Sequence, residues 1–352
     1  MQVAKDKIRR LGSSGHPTRA LFEVTSRCNA RCGYCYIAHR KTAVELSTSQ
    51  VIRAMDNLHS QGILFLVITG GEPFLRPDIL EILNHARSLN FLSLSIYTNG
   101  YLIDDSRLAQ LCGMAPNLRT IQMSVFSHIP EVHDSYMGLP GSLKRIMFSG
   151  RALMDSGIRV TLSLNVLEFN VDTTQESIDF FSSRGFKILV GCFKDIPNLE
   201  VRTHLIGSIE PDFFERFVTG LAPNLRRKYL RDMQNRCSDS GTGLCEGRFT
   251  QVMIDSAGYI HPCPSFPGIT MGNIISTESL HSAILSSSEF KAARALTRDD
   301  IPACKSCDFK SFCSICIGKM HNEFGGYDKP CPQSCHYAQA LRKAGKLSHA
   351  AA

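Results

Sequence analysis

Apolar and polar positions repeat in one rhythm from about residue 18 to about residue 210. A short β-branched run comes first, then a loop, then a stretch whose apolar residues fall on one helical face. The runs Ala20–Thr25, Phe65–Thr69, Leu92–Thr98, Thr120–Phe126, Arg159–Val166 and Lys187–Phe193 read as strands. Several are almost continuously apolar, as strands buried on both faces are. Helices are expected over Ser49–His59, Pro77–Leu89, Asp104–Leu111, Leu143–Asp155 and Thr173–Ser183. The first follows a Ser/Thr start, the second carries its proline in the first turn, and Gly157 stops the fourth. Six strands alternating with helices predict an α/β fold with a parallel sheet and right-handed crossovers. Loops at the C-terminal ends of such strands carry the chemistry.

The rhythm stops near residue 210. Asp212–Met233 reads as a charged helical connector. From Cys237 onward the chain is rich in Cys, Gly and Pro, which predicts a second, metal-dependent module with too little apolar sequence for a large core. The expected organisation is a tail at 1–17, the α/β unit at 18–210, a connector at 211–236, the Cys-rich module at 237–340 and a tail at 341–352, frayed from Lys346.

Composition narrows the classes. Of 352 residues, 43% are hydrophobic and 20% charged, which fits a globular chain with a sizeable core. No apolar window is long enough for a membrane span, and the polar, basic N-terminus has no signal-peptide core. Fourteen cysteines without a secretion signal argue for metal ligation or catalysis in a reducing cytoplasm rather than for disulfides. The net charge of +7 is spread along the chain, with no basic stripe beyond Arg226–Arg227–Lys228. That reads as a solvated surface, so no nucleic-acid partner is expected.

The cysteines carry the sharpest signal. Cys28, Cys32 and Cys35 are separated by three and then two residues, in the loop after the first strand. Such a triplet can cap three irons of a [4Fe–4S] cluster and leave the fourth iron open. Zinc is the alternative, though its four ligands usually come as two close pairs, and a second pair here would come from far away. The second strand ends in Thr69-Gly70-Gly71-Glu72-Pro73. Its glycines let backbone approach a ligand closely, although alone the motif is a turn.

With these two motifs, one strand apart, the chain resembles the radical S-adenosylmethionine (SAM) enzymes. The resemblance implies a partial (β/α)6 barrel, with the amino and carboxylate groups of SAM on the open iron. Gly70, Gly71 and Glu72, closed by Pro73, would hold the amino group, and Tyr34 would lie beside the adenine. Asn99, Gly100, Ser124 and Asn165 match positions that contact ribose and carboxylate in related enzymes. One-electron cleavage of SAM would then give a 5′-deoxyadenosyl radical that takes hydrogen from an unactivated C–H bond. His133, in Glu131-Val132-His133-Asp134 ahead of Gly141-Ser142, reads as a packing residue rather than an acid/base. Cys112 and Cys192 read as structural, and Lys194 and Asp195 as loop charges that also lie in reach of substrate.

The Cys-rich module resembles the SPASM extension of radical enzymes, which carries two auxiliary [4Fe–4S] clusters. By that pattern Cys304, Cys307 and Cys313 hold the outer cluster with Cys331, or next Cys335, as the last ligand. Cys245, Cys263 and Cys316 hold the inner one with Cys237 as fourth. Zinc knuckles are the alternative here too. If all three clusters load, the net charge falls to about +2. Two residues, rather than the usual three, separate Cys313 from Cys316. Met123–Ser127 and Pro264 depart from the sulfatase-maturing pattern and argue against that activity.

The expectation is an oxygen-sensitive cytoplasmic oxidoreductase acting on a ribosomally made peptide. The alternatives are a small-molecule enzyme (a tetrapyrrole side-chain decarboxylase or a sugar-alcohol dehydrogenase) and a multi-cluster electron carrier. A flavodoxin or ferredoxin is the expected electron donor. With 27 residues before the triplet, too few for a fused leader-binding domain, a separate peptide-recognition protein is expected for a peptide substrate.

Overall fold

A computed structural model describes residues 11, 14, 16–35, 44–115, 118–192, 212–239, 244–245, 250–266, 268–313 and 315–350, without the side chains of 192, 236–239 and 346–350. Its centre is an eight-stranded sheet with strand order β6-β5-β4-β3-β2-β1-β7-β8. The first six are β1 (Arg19–Glu23), β2 (Phe65–Thr69), β3 (Ser93–Thr98), β4 (Leu118–Val125), β5 (Arg159–Val166) and β6 (Lys187–Cys192). Each pairs in parallel with the next, for example Phe22↔Ile68 and Asn165↔Gly191. Among the described residues the edge strands β6 and β8 do not pair with each other, so the α/β barrel is partial. All of β5 after Arg159 is buried, which explains its nearly unbroken apolar run.

Helices alternate with the strands: α1 (Thr48–Ser60), α2 (Ile79–Ser88), α3 (Asp105–Cys112), α4 (Pro130–Met137), α5 (Ser142–Asp155) and α6 (Thr174–Ser182). A capping box, Ser47 with Gln50, starts α1. Helix α2 starts two residues beyond Pro77, after Asp78. Helix α4 falls where the sequence showed only a motif. Its Asp134 accepts from Gly141 N–H at 2.5 Å, Leu143 N–H at 2.9 Å and the Ser142 hydroxyl at 2.8 Å. It thereby caps α5 from outside, since Gly141 has no side chain to do so.

The expected connector is two helices, α7 (Phe213–Gly220) and α8 (Pro223–Asp239). Phe213, Phe214, Phe217 and Val218 are buried, so α7 docks on the core. Each phenylalanine contributes roughly 1.5–3 kcal/mol of burial.

The C-terminal region is joined to the barrel. Strand β7 (Gln251–Ile254) runs parallel to β1, with Leu21↔Met253, and turns back into β8 (Ile260–His261). Helices α9 (Leu280–Ser286), α10 (Ser288–Ala295), α11 (Ile317–Phe324) and α12 (Pro332–Ala350) follow. One apolar core runs from Phe22 and Ile68 through Phe217 to Phe290, Met320 and Leu341, across the boundary expected at residue 237. Helix α12 continues to Ala350, past the expected fraying at Lys346.

Candidate functional site

The site forms where β1, β2 and β3 end. Val24 N–H donates to Thr69 carbonyl at 2.9 Å, and the chain then turns into the cysteine loop. Glu45 organises that turn by accepting from Thr25 Oγ1 and Ser26 N–H, each at 2.8 Å. Burial pushes the Glu45 carboxyl up, but these donors and Arg27 outweigh it and hold it below its ordinary value. Arg76 donates through Nη1 to the carbonyls of Val24 and Leu46, both at 2.9 Å, while Asp78 holds its guanidinium in a fork.

Gly70 and Gly71 are needed for packing against the cysteine loop itself. A Cβ on Gly71 would stand 2.2 Å from the Arg27 carbonyl oxygen, and one on Gly70 2.4 Å from that of Thr25. Gly70 also has φ +149°, which side chains rarely adopt. This close approach lets Gly71 N–H donate to Thr25 carbonyl and Glu72 N–H to Arg27 carbonyl, both at 2.8 Å. Pro73 is buried and opens a short 3₁₀ turn.

Glu72 is fully buried and its carboxylate is engaged inside the protein. It accepts from Phe74 N–H at 3.0 Å, the Thr98 hydroxyl at 2.8 Å and Asn99 N–H at 2.7 Å. Burial raises its pKa to about 7 against the pull of these donors. Asn99 passes the link back: its Nδ2 donates to Asn29 Oδ1 at 2.8 Å and reaches Cys28 Sγ at 3.9 Å. Three loops are thus knitted together through one carboxylate.

Cys28, Cys32 and Cys35 line one cavity of about 170 Å³ with Tyr34, Gly70, Gly71, Asn99 and Ser124. Tyr34 hydrogen-bonds Ser124, and its ring packs edge-on to Phe126 at 5.4 Å. Arg31 N–H donates to Met137 carbonyl at 2.9 Å, which moors the loop to α4. Of the residues that the sequence placed at the SAM site, Glu72, Pro73, Gly100 and Asn165 lie outside the cavity lining. Asn165 lies buried in β5, its Nδ2 turned to Ser163 carbonyl at 3.3 Å. His133 is buried, accepts from Phe126 N–H at 3.2 Å, and is pushed by burial to a pKa of about 4. It is a packing residue, as its sequence context implied. Glu45, Arg76, Thr98 and Asn29 were not read from sequence. The only signal was Arg76-Pro77-Asp78 directly behind the glycine motif.

The cysteines suit an iron–sulfur cluster. Burial, then the charges of Cys35 and Cys28, push the Cys32 thiol up to about 12. Cys28 is exposed, yet desolvation by the surrounding protein raises its thiol to about 11 despite donors from Ala30 and Asn99. Thiolates that share this cavity repel one another, and bound iron cations would offset that cost.

The remaining cysteines sort into two further groups. Burial and the charges of Cys316 and Cys245 push the Cys263 thiol up. Burial and the charges of Cys304, Cys307 and Cys331 do the same to Cys335. Cys313 Sγ faces Ser334 carbonyl at 3.9 Å, next to Cys335. Lys319 and Glu323 act on Cys331, the first choice from sequence, whereas Cys304 and Cys307 act on Cys335, the second choice. Cys112 reaches Ala152 carbonyl at 4.0 Å and is structural. The side chains of Cys192 and Cys237, and residues Lys194 and Asp195, lie outside the described residues.

Comparison with known proteins places this geometry. Residues 22–181 match the radical SAM superfamily and residues 245–308 the SPASM iron–sulfur cluster-binding domain. The chain is 28% identical to the antilisterial bacteriocin subtilosin biosynthesis protein AlbA of Bacillus subtilis, over 87% of this chain and 68% of AlbA. It is 22% identical to the AdoMet-dependent heme synthase of Methanosarcina barkeri, over 88% of this chain and 94% of that protein. The fold is similar to Streptococcus suis SuiB bound to precursor peptide SuiA. The TM-score is 0.69 at 18% identity, over 92% of this chain and 77% of that one.

Proposed function

The chain belongs to the radical SAM superfamily through residues 22–181 and carries an SPASM domain at 245–308, and from that premise we propose that it oxidatively modifies a C–H position of a ribosomally made peptide. The convergence of Cys28, Cys32 and Cys35 with the ends of β2, β3 and β4 in one cavity carries this reading. The likeness to AlbA, over most of both chains, supports a peptide substrate, and so does the fold shared with SuiB in complex with its precursor peptide.

In this reading Cys28, Cys32 and Cys35 ligate the first [4Fe–4S] cluster. When bound, the reduced cluster and SAM supply a carbon radical that abstracts hydrogen from an unactivated C–H bond. Gly70, Gly71 and Asn99 would border bound SAM, and Tyr34 and Ser124 would orient its adenosine. Glu72 acts from behind, holding the β2 and β3 loops against the cysteine loop. Phe126, Met137, Leu139 and Leu167 form a separate apolar cluster against which Cys32 and Tyr34 pack, giving that side of the cysteine loop an apolar backing. Cys245, Cys263 and Cys316 with Cys237 hold the inner auxiliary cluster, and Cys304, Cys307, Cys313 and Cys335 the outer one. Clusters bound there would supply an acceptor for the electron left on an oxidised substrate.

The working partners are a low-potential donor such as a flavodoxin or ferredoxin and a separate recognition protein for the peptide, in the cytoplasm. Among the described residues no helix is long and apolar enough to cross a membrane.

The likeness to the heme synthase, across nearly its full length, favours one second reading, a tetrapyrrole side-chain decarboxylase. Anaerobic incubation with candidate precursor peptides and with a tetrapyrrole carrying propionate side chains separates the two. The peptide reading predicts a peptide product lacking hydrogen and an unchanged tetrapyrrole. Loss of carbon dioxide from the tetrapyrrole alone would replace it with the second reading.

A further inference from the structure

A second, larger cavity of about 600 Å³ opens at the end of the sheet opposite the cysteines. It lies where β3, β4 and β5 begin and α2 and α5 finish. Its volume falls within the range of small-molecule sites, roughly 300–1,000 Å³.

Three arginines line it: Arg87 from α2, Arg119 from β4 and Arg159 from β5. None of the lining residues is acidic. Among the described residues none of the three arginines has an ion pair or a side-chain hydrogen bond. Arg87 has an ordinary reason to be there, because a cation in the last turn of a helix complements its dipole. Arg119 and Arg159 stand exposed in the first two positions of neighbouring strands. Three cations and no acid thus line one cavity, and no lining group offsets their charge.

The rest of the lining is largely apolar. Asn90 adopts φ +55° and ends α2 in a left-handed turn, and the chain then brings Phe91 and Leu92 to the cavity. Leu92 is 55% exposed although it directly precedes a strand of the core sheet.

We propose that this cavity binds a small amphipathic anion, with a carboxylate or phosphate head on Arg87, Arg119 and Arg159 and an apolar body on Phe91 and Leu92. Guanidinium groups bind either head in a charge-assisted, often bidentate manner. The site is independent of the SAM chemistry, because the length of the strands separates it from the cysteine loop.

The test is a fluorescence titration of the reconstituted full chain with 8-anilinonaphthalene-1-sulfonate, an aromatic anion. A single saturable site is expected. Arg119→Gln/Arg159→Gln should weaken it about tenfold or more, while SAM cleavage stays unchanged. Leu92→Glu, a change at an exposed position, should weaken it too. Displacement by decanoate but not by naphthyl phosphate assigns a carboxylate ligand, and the converse a phosphate ligand. Equal displacement by neutral naphthol, or unchanged dye binding in the arginine variant, would overturn the proposal.

Discussion

Replacing Glu72 by Gln tests whether one buried carboxylate holds the site's loops together. In the folded chain burial raises the Glu72 pKa from 4.5 to about 7. Between those values the folded state keeps a proton that the unfolded state has lost. Glu72 therefore contributes most stability below about pH 4.5, and that contribution is lost as pH rises to about 7. At ~1.4 kcal/mol per pKa unit the loss is on the order of 3 kcal/mol. The substituted glutamine cannot ionise, so it removes that slope. Its Oε1 can still accept from Phe74 N–H and the Thr98 hydroxyl, but its amide turns a donor toward Asn99 N–H. That mismatch costs ~1–3 kcal/mol at every pH. The variant should be less stable than wild type near pH 4.5 and equal or more stable near pH 8. Urea unfolding of both proteins across that range checks it, read as the change in midpoint at constant m. Parallel pH profiles for the two proteins would refute the account of Glu72.

Gly71→Ala drives a methyl group into the Arg27 carbonyl, 2.2 Å away, and should cost roughly 3 kcal/mol and lower iron loading, read by thermal melts and iron analysis. Cys335→Ser should remove about four irons, whereas Cys331→Ser should leave the count unchanged; the reverse result would restore the first choice made from sequence. Asp134→Ala leaves the start of α5 without its three donors' acceptor and should destabilise the fold by ~1–2 kcal/mol in denaturant titrations.

Much of this was legible along the chain because it is local. Strand β5 was bounded correctly at Arg159–Val166, and the β1 and β4 runs were placed within two residues, since β-branched runs flanked by turns are short-range signals. The cysteine triplet and Gly70–Pro73 were legible for the same reason. What was missed depends on partners distant in sequence. Strand β7 is four residues long, and its pairing with β1 on one side and β8 on the other defines it. Helix α7 was absorbed into a charged stretch, although its phenylalanines at 213, 214 and 217 carry a helical spacing. Gly70 and Gly71 were read as making room for a ligand, and in the fold they make room for the Thr25–Arg27 backbone. Asn165 was matched by position, but its amide turns along β5 toward Ser163. No local pattern shows where a side chain points at the end of a strand.

The central claim is that Cys28, Cys32 and Cys35 form a radical-generating centre distinct from the C-terminal cysteine groups. Anaerobic reconstitution followed by dithionite and SAM tests it in one assay, with iron and 5′-deoxyadenosine measured together. Wild-type protein should hold about twelve irons and release 5′-deoxyadenosine. The variant with all three cysteines changed to Ala should release none while keeping about eight irons. Release of 5′-deoxyadenosine by that variant, or none from fully loaded wild type, would contradict the claim.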